Sequence, residues 1–243
     1  MTQSDDDNKI IRLPTREERE ARERQKKSPT PTTHAPTEHT SAPLINLPPF
    51  TKYMIGFLLG IFLVFHYGLS ADQQDAGYVL FGFIPAHFSN LDQITLLSVI
   101  TPLTHMALHG GWVHILMNGF MLMAFGTGVE KWIGGKRMLM AFIFCGLCGA
   151  AFQFILAPFS PVPVIGASGG ISGLFALAIV MMNRQGGGGF AHAKFGLWPL
   201  IILWVGISIA FGMMGSPDGS PVAWGAHVGG FLAGFAAVKL WRI

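Results

Sequence analysis

The sequence predicts an all-α, polytopic membrane protein whose chain begins with a polar extension. Of the 243 residues, 51% are hydrophobic and only 12% are charged, about half the charged share of a soluble domain. Nine of the 16 Lys and Arg residues and eight of the 13 Asp and Glu residues fall within the first 52 positions. The remaining chain is therefore apolar enough to lie in a bilayer.

Residues 1–50 are predicted to form a disordered cytoplasmic tail, followed by a single domain at 51–243. The charged stretch from Thr15 to Lys27 has no apolar face, so any helix there depends on Glu–Arg pairs. The segment from Ser28 to Pro49 is rich in proline and threonine, which is typical of a linker.

Six apolar runs are predicted to form spanning helices, since only helices satisfy the backbone in lipid without a closed barrel. Glycine or proline clusters separate most of them. The runs are Tyr53–Leu69, Trp112–Ile133, Arg137–Leu156, Ser168–Met182, Phe195–Met214 and Pro221–Trp241. Residues 70–111 lack a clean apolar run of about 20 residues, so we expect short helices lying in the outer interface.

The cations predict the orientation of the bundle. With six spans, all 16 Lys and Arg residues lie on the side that holds both termini, whereas the loops of the other side carry four aspartates. The positive-inside rule then makes both termini cytoplasmic. The distribution of the cations is explained by membrane topology, so no nucleic-acid partner is expected. Membrane lipid is an expected partner.

Helix lengths place four polar residues at one depth. Ser168, His114 and His227 precede the cations Arg184, Lys131 and Arg242 by 15 to 17 residues, or about 22–25 Å. Asn118 lies one helical turn from His114. Polar and ionisable side chains inside a membrane are costly and mark function by default.

This layer has the groups needed for nucleophilic catalysis. Ser168 is the expected nucleophile and His227 its general base. His114, Asn118 and the amide of Ser168, which opens a helix, are expected to stabilise an oxyanion. A third, carboxylate member is not expected, since Asp218 is the only acidic residue after Ser168. No metal or other cofactor is required.

Small residues predict that two of the helices approach closely. Gly169 and Gly173 form a GxxxG pattern, as do Gly230 and Gly234. Such faces let helix backbones come near each other, and the second stripe also carries His227.

Four segments together resemble the rhomboid family of intramembrane proteases. They are GASGGISG (Gly166 to Gly173), WVHILMN (Trp112 to Asn118), GTGVEKWIGGKR (Gly126 to Arg137, with Glu130 in a packing network) and AHVGGFLAG (Ala226 to Gly234). The resemblance covers about residues 51–242. It implies a six-helix core and a serine protease that cuts transmembrane proteins in or near the membrane, here a bacterial inner membrane or its equivalent.

Two positions depart from the family pattern, and other functions remain open. Thr101-Pro102 stands where the family often has Trp-Arg, and Ser172 stands where many members have an aromatic residue. The main alternative is a rhomboid-like protein that binds membrane proteins without cutting them, and a transporter or channel is a third class. A zinc site at His105 and His109, or redox chemistry at Cys145 and Cys148, is disfavoured by the surrounding residues.

Overall fold

The structure is a computed structural model of the full chain. It describes residues 14–27, 46–90, 92, 94–184, 196, 198–214 and 222–241. The chain divides into two compact units, Met1–Leu44 and Ile45–Ile243.

Within the first unit, helix α1 spans Arg16–Lys27. Thr15 and Glu18 begin it, because each accepts a hydrogen bond from the backbone amide of the other. Arg16 and Glu20 pair on its exposed surface. The side chains from Arg16 to Arg24 are all exposed, which agrees with the absence of an apolar face in this part of the sequence. Residues 1–13 and 28–45 of the predicted disordered tail lie outside the described residues.

In the second unit, three helical segments within the described residues are long and apolar enough to cross a membrane. The first is α2, Pro49–Gly68. The second comprises α6 (Trp112–Met121), a π-helical segment (Leu122–Gly126) and α7 (Thr127–Ile133). The third is α8, Gly135–Leu156. These helices match the first three predicted spans, although α2 begins at Pro49 because proline suits the first helical position.

Three further helices, of 17 residues each, complete the predicted set. They are α9 (Ser168–Arg184), α10 (Trp198–Met214) and α11 (Trp224–Leu240). At about 25 Å each, they are shorter than the roughly 30 Å of a hydrocarbon core. The predicted starts at Phe195 and Pro221 lie outside the described residues.

The centre of the bundle is helix α9, which packs against α8 and α11. Its residues from Gly169 to Ile179 are all buried. A side chain at Gly173 would overlap Cys145 of α8 and lie 3.0 Å from the Gly230 carbonyl of α11. Glycine is therefore what lets the three backbones approach.

The predicted short helices are present in residues 70–111. They are α3 (Ala71–Phe81), α4 (Pro85–Ser89), α5 (Leu96–Thr104) and a 3₁₀ turn at His105–Ala107. Ser70 with Gln73, and Thr95 with Ser98, form capping boxes at the starts of α3 and α5.

This loop is joined to the segment that leads into α9. Phe83 and Val164 exchange two backbone hydrogen bonds of 3.0 and 2.8 Å, and the Gly166 amide donates to the His105 carbonyl at 2.9 Å. The irregular backbone before Ser168 is thereby paired with protein groups, as buried backbone requires.

Candidate active site

Ser168 and His227 lie within hydrogen-bond distance of each other. The Nε2 atom of His227 is 2.8 Å from the Oγ atom of Ser168, and both side chains are partly buried. Ser168 is the first residue of α9 and His227 lies in the first turn of α11. The sequence predicts this pairing of serine and histidine from helix depth.

Two glycines set the position of His227. The carbonyl of the preceding residue, Ala226, would lie 2.5 Å from a Cβ at Gly149 and 3.3 Å from a Cβ at Gly169. The start of α11 is thus held between α8 and α9. Larger side chains at either glycine would push His227 away from Ser168.

The predicted glycine stripes of α9 and α11 face each other. A Cβ at Gly230 would overlap the Gly169 carbonyl, and a Cβ at Gly234 would lie 2.5 Å from the Gly173 carbonyl. The structure therefore places all four glycines where the two backbones meet, within about two helical turns of Ser168 and His227.

Gly166 leaves a space open between His114 and Ser168. A Cβ there would lie 2.6 Å from Nε2 of His114 and 3.7 Å from Oγ of Ser168. Its φ of +117° is also a conformation that other residues rarely adopt. An oxyanion formed beside Ser168 could enter this space and meet the His114 ring. The Ser168 amide is the first N–H of α9, so it has no intrahelical acceptor and lies at the positive end of the helix dipole.

Asn118 lies on the predicted face of α6 but is engaged locally. Its Nδ2 donates to the His114 carbonyl at 2.9 Å, and the residue is 5% exposed. An amide side chain has a second N–H, so a role at the oxyanion stays a prediction. The observed bond stiffens the turn that carries His114.

The two departures from the family pattern have local partners. The Ser172 side chain is fully buried, and its hydroxyl donates to the Ser168 carbonyl at 2.8 Å. Thr101 is buried, donates to the Ser98 carbonyl, and accepts from Nδ1 of His105. Both residues thus support the backbone close to the site.

Glu130 lies away from the serine–histidine pair and joins two helices. Its carboxylate accepts from the Phe50 amide at 3.0 Å and from the Thr51 amide and hydroxyl at 2.7 Å each. It therefore caps α2 with a charge that suits a helix N-terminus. The π-helical turn between Asn118 and Glu130 adds a residue to the helix, which changes the face on which Glu130 emerges.

Sequence reasoning missed the contact between His109 and His114. Their ring centroids are 4.9 Å apart at an angle of 65°. The signal in the sequence is the series His105, His109 and His114, spaced four and five residues apart immediately before and within α6. Within the described residues, no group of three or more His, Cys, Asp or Glu side chains is placed to hold a metal ion. Cys145 and Cys148 are free thiols.

Comparison with known proteins identifies the family. Residues 97–242 match the Rhomboid domain family. The Rhomboid protease GluP of Bacillus subtilis is 30% identical over 137 residues, which cover 56% of this chain and 24% of that protein. The Putative rhomboid protease YdcA of the same organism is 32% identical over 146 residues, covering 58% and 67%. RHOMBOID-like protein 5 of Arabidopsis thaliana is 29% identical over 130 residues, covering 53% and 39%.

The match to GluP thus spans only about a quarter of that protein. The family match, in contrast, extends from the short helices before α6 to the last residues of the chain, and it includes Ser168 and His227. Together with the apolar helices, it identifies an integral membrane protein. The chain belongs to the rhomboid family.

Proposed function

We propose that this protein is an intramembrane serine protease that hydrolyses peptide bonds in or near transmembrane segments of other membrane proteins. The observation that carries the proposal is the 2.8 Å separation between Nε2 of His227 and Oγ of Ser168. A serine hydroxyl becomes a useful nucleophile when a histidine at this distance removes its proton. The printed names of two relatives, the Rhomboid protease GluP and the Putative rhomboid protease YdcA, support the same function.

The reaction proceeds in two halves. Oγ of Ser168 attacks the scissile carbonyl while His227 takes its proton. The oxyanion that forms occupies the space beside Gly166, where His114 and the Ser168 amide stabilise it. His227 then protonates the leaving amine. In the second half, His227 removes a proton from a water molecule that attacks the acyl-serine ester. The bond between the acyl carbon and Oγ of Ser168 then breaks, the new carboxyl end of the substrate leaves, and His227 returns the proton to Oγ.

The substrate is a transmembrane segment whose outer end contains small or helix-breaking residues. A regular helix engages its own carbonyls, so a peptide bond reaches Ser168 only where the helix opens. Glycine and proline favour such opening. No cofactor takes part in this chemistry.

The proposed topology has six spans with both termini in the cytoplasm. It rests on α2, α6–α7 and α8, on the three shorter helices, and on the placement of all 16 cations on one side. The membrane is the inner membrane of a bacterium or its equivalent. A reporter that works only in the cytoplasm should be active when it is fused after Ile243, and a reporter that works only in the periplasm should be inactive there. Activity of the periplasmic reporter would reject this topology.

Cleavage of a model transmembrane substrate by the purified full chain in proteoliposomes tests the function. Ser168→Ala and His227→Ala should each abolish cleavage, whereas Ser172→Ala, a serine one turn further along α9, should retain it. A fluorophosphonate probe should label the wild type and Ser172→Ala but not Ser168→Ala. Normal cleavage by Ser168→Ala would reject the proposal. Binding of the substrate without cleavage by the wild type would instead indicate a rhomboid-like binding protein.

A further inference from the structure

A buried histidine without a role in the reaction lies behind the candidate oxyanion site. His109 is 2% exposed, and neither of its ring nitrogens has a hydrogen-bond partner. Its own carbonyl is held by the Tyr78 hydroxyl at 3.2 Å. The backbone that carries the ring is therefore held, while the Ala107 carbonyl, which influences the ring, does not make a hydrogen bond of good geometry with either ring nitrogen.

The ring is neutral and so needs both a donor and an acceptor. Burial lowers the pKa of His109 to about 3, the charge of His114 acts in the same direction, and the Ala107 carbonyl acts weakly against them. A neutral imidazole has one N–H donor and one nitrogen acceptor. Buried polar atoms without partners are costly, and ordered water is what usually satisfies them where protein groups do not.

The position of the ring ties this requirement to the site. The His109 and His114 ring centroids are 4.9 Å apart in an edge contact. Nε2 of His114 in turn borders the space beside Gly166. A group bound to His109 on that side would therefore contact the ring that is proposed to meet the oxyanion.

We propose that His109 binds a buried water molecule beside His114, and that this hydrated histidine is a positioning residue that holds the His114 ring towards the space beside Gly166. Its effect on the reaction rests on the proposed protease function. The water site itself does not, because it follows from the burial and the unpartnered nitrogens of His109.

Variants of His109 separate positioning from simple packing. His109→Phe keeps the ring and removes both nitrogens, so it should lower kcat by about 10-fold to 100-fold with KM unchanged. His109→Asn keeps a donor and an acceptor and should recover part of that loss. In a His114→Ala background, His109→Phe should cause no further loss, because it acts through His114.

His105→Phe is the matched control. His105 is also 2% exposed, but its Nδ1 bonds to the Thr101 carbonyl and its ring packs on Phe83. His105→Phe should lower the unfolding temperature. Any loss of kcat that it causes should be the same in the wild type and in the His114→Ala background, because it does not act through His114. If His109→Phe behaves in this same additive way, the positioning role is wrong.

An experimental structure of the wild type with ordered waters gives a readout that does not depend on activity. A water within hydrogen-bond distance of a His109 ring nitrogen supports the site, and protein groups bonded to both nitrogens overturn it. If the wild type neither cleaves substrate nor reacts with the fluorophosphonate, the protease function fails while this structural result still decides the water site. If His109→Phe does not fold, the wild-type structure still decides whether His109 binds a water molecule.

Discussion

Gly230 of α11 lies against the carbonyl of Gly169 in α9, so closely that a Cβ at Gly230 would overlap that oxygen. This contact sits one turn from His227 on one helix and next to Ser168 on the other. The separation of the two reactive side chains therefore depends on a backbone contact that only glycine permits.

Gly230→Ala should destabilise the protein by about 1–3 kcal/mol, the usual cost of overpacking. It should also reduce cleavage more than the lost folded fraction explains, because α11 must shift and carry His227 with it. Thermal unfolding and cleavage in the same detergent measure the two effects. Gly206→Ala in α10 is the control, since nothing lies within 4 Å of a Cβ there. Equal behaviour of the two variants would contradict this interpretation.

Gly166→Ala and Gly134→Ala form a pair that isolates the space beside Ser168. Both glycines have positive φ, +117° and +84°, so each substitution should cost about 1–3 kcal/mol in backbone strain. Only the Cβ at 166 meets His114, and we expect only that variant to lose activity, by about 100-fold. Fluorophosphonate labelling of the folded protein is the measurement. An active Gly166→Ala would show that the space is not used.

Glu130→Ala should lower stability without changing the chemistry of Ser168. It leaves the amides of Phe50 and Thr51 and the Thr51 hydroxyl without their acceptor. A buried donor left unpaired costs about 1–3 kcal/mol. Thr51→Val removes only the hydroxyl and should cost less. Unfolding temperature and the labelling rate of Ser168 measure the two properties; a slower labelling rate in folded Glu130→Ala would disagree with this prediction.

Ser172→Phe should lower the stability of the protein more than Ser172→Ala does, even though many family members have an aromatic residue at this position. The side chain is fully buried and donates to the Ser168 carbonyl, so a ring would overpack the site at a cost of about 1–3 kcal/mol. Loss of the hydroxyl alone should cost about 1 kcal/mol. The unfolding temperatures of both variants decide the order. A more stable Ser172→Phe would show that the site has room for the aromatic ring.

Acid should destabilise the protein through its buried loop histidines. Burial lowers the pKa of His105 from 6.5 to about 4, so the unfolded chain binds more protons than the folded one between these values. Stability that is present above about pH 6.5 is therefore lost as the pH falls towards about 4. The unfolding temperature of His105→Phe should decline less than that of the wild type over this range. Parallel declines would mean that His105 does not contribute.

Much of the site could be predicted because helix rise converts sequence spacing into depth. Ser168, His114 and His227 come from three helices, and counting residues to the cations Arg184, Lys131 and Arg242 predicts that they lie in one layer; the 2.8 Å contact between Ser168 and His227 agrees with this. The number of spans is harder to predict, because α9, α10 and α11 are each shorter than a full crossing.

Contacts between distant segments were not predictable in the same way. Glu130 accepts hydrogen bonds from Thr51, which is 79 residues away in the sequence. The direction in which the Glu130 side chain points depends on the π-helical turn at Leu122–Gly126, and no periodic pattern in the sequence predicts that turn. Asn118 was expected to face the oxyanion, but one of its donors is taken by its own helix. Local competition of this kind is decided by side-chain rotamers rather than by spacing.

The join between the first loop and the segment before Ser168 is made by main-chain atoms of Phe83, Val164, His105 and Gly166. Main-chain hydrogen bonds do not depend on which side chain a residue carries; among the common amino acids only proline lacks the donor. Phe83 and Val164 are also buried in one apolar cluster, so other apolar residues of similar volume at these positions should keep the path of the chain. Apart from Gly166, whose positive φ requires glycine, the residues that fix the approach to the nucleophile therefore carry no side-chain motif by which a sequence search could find this join.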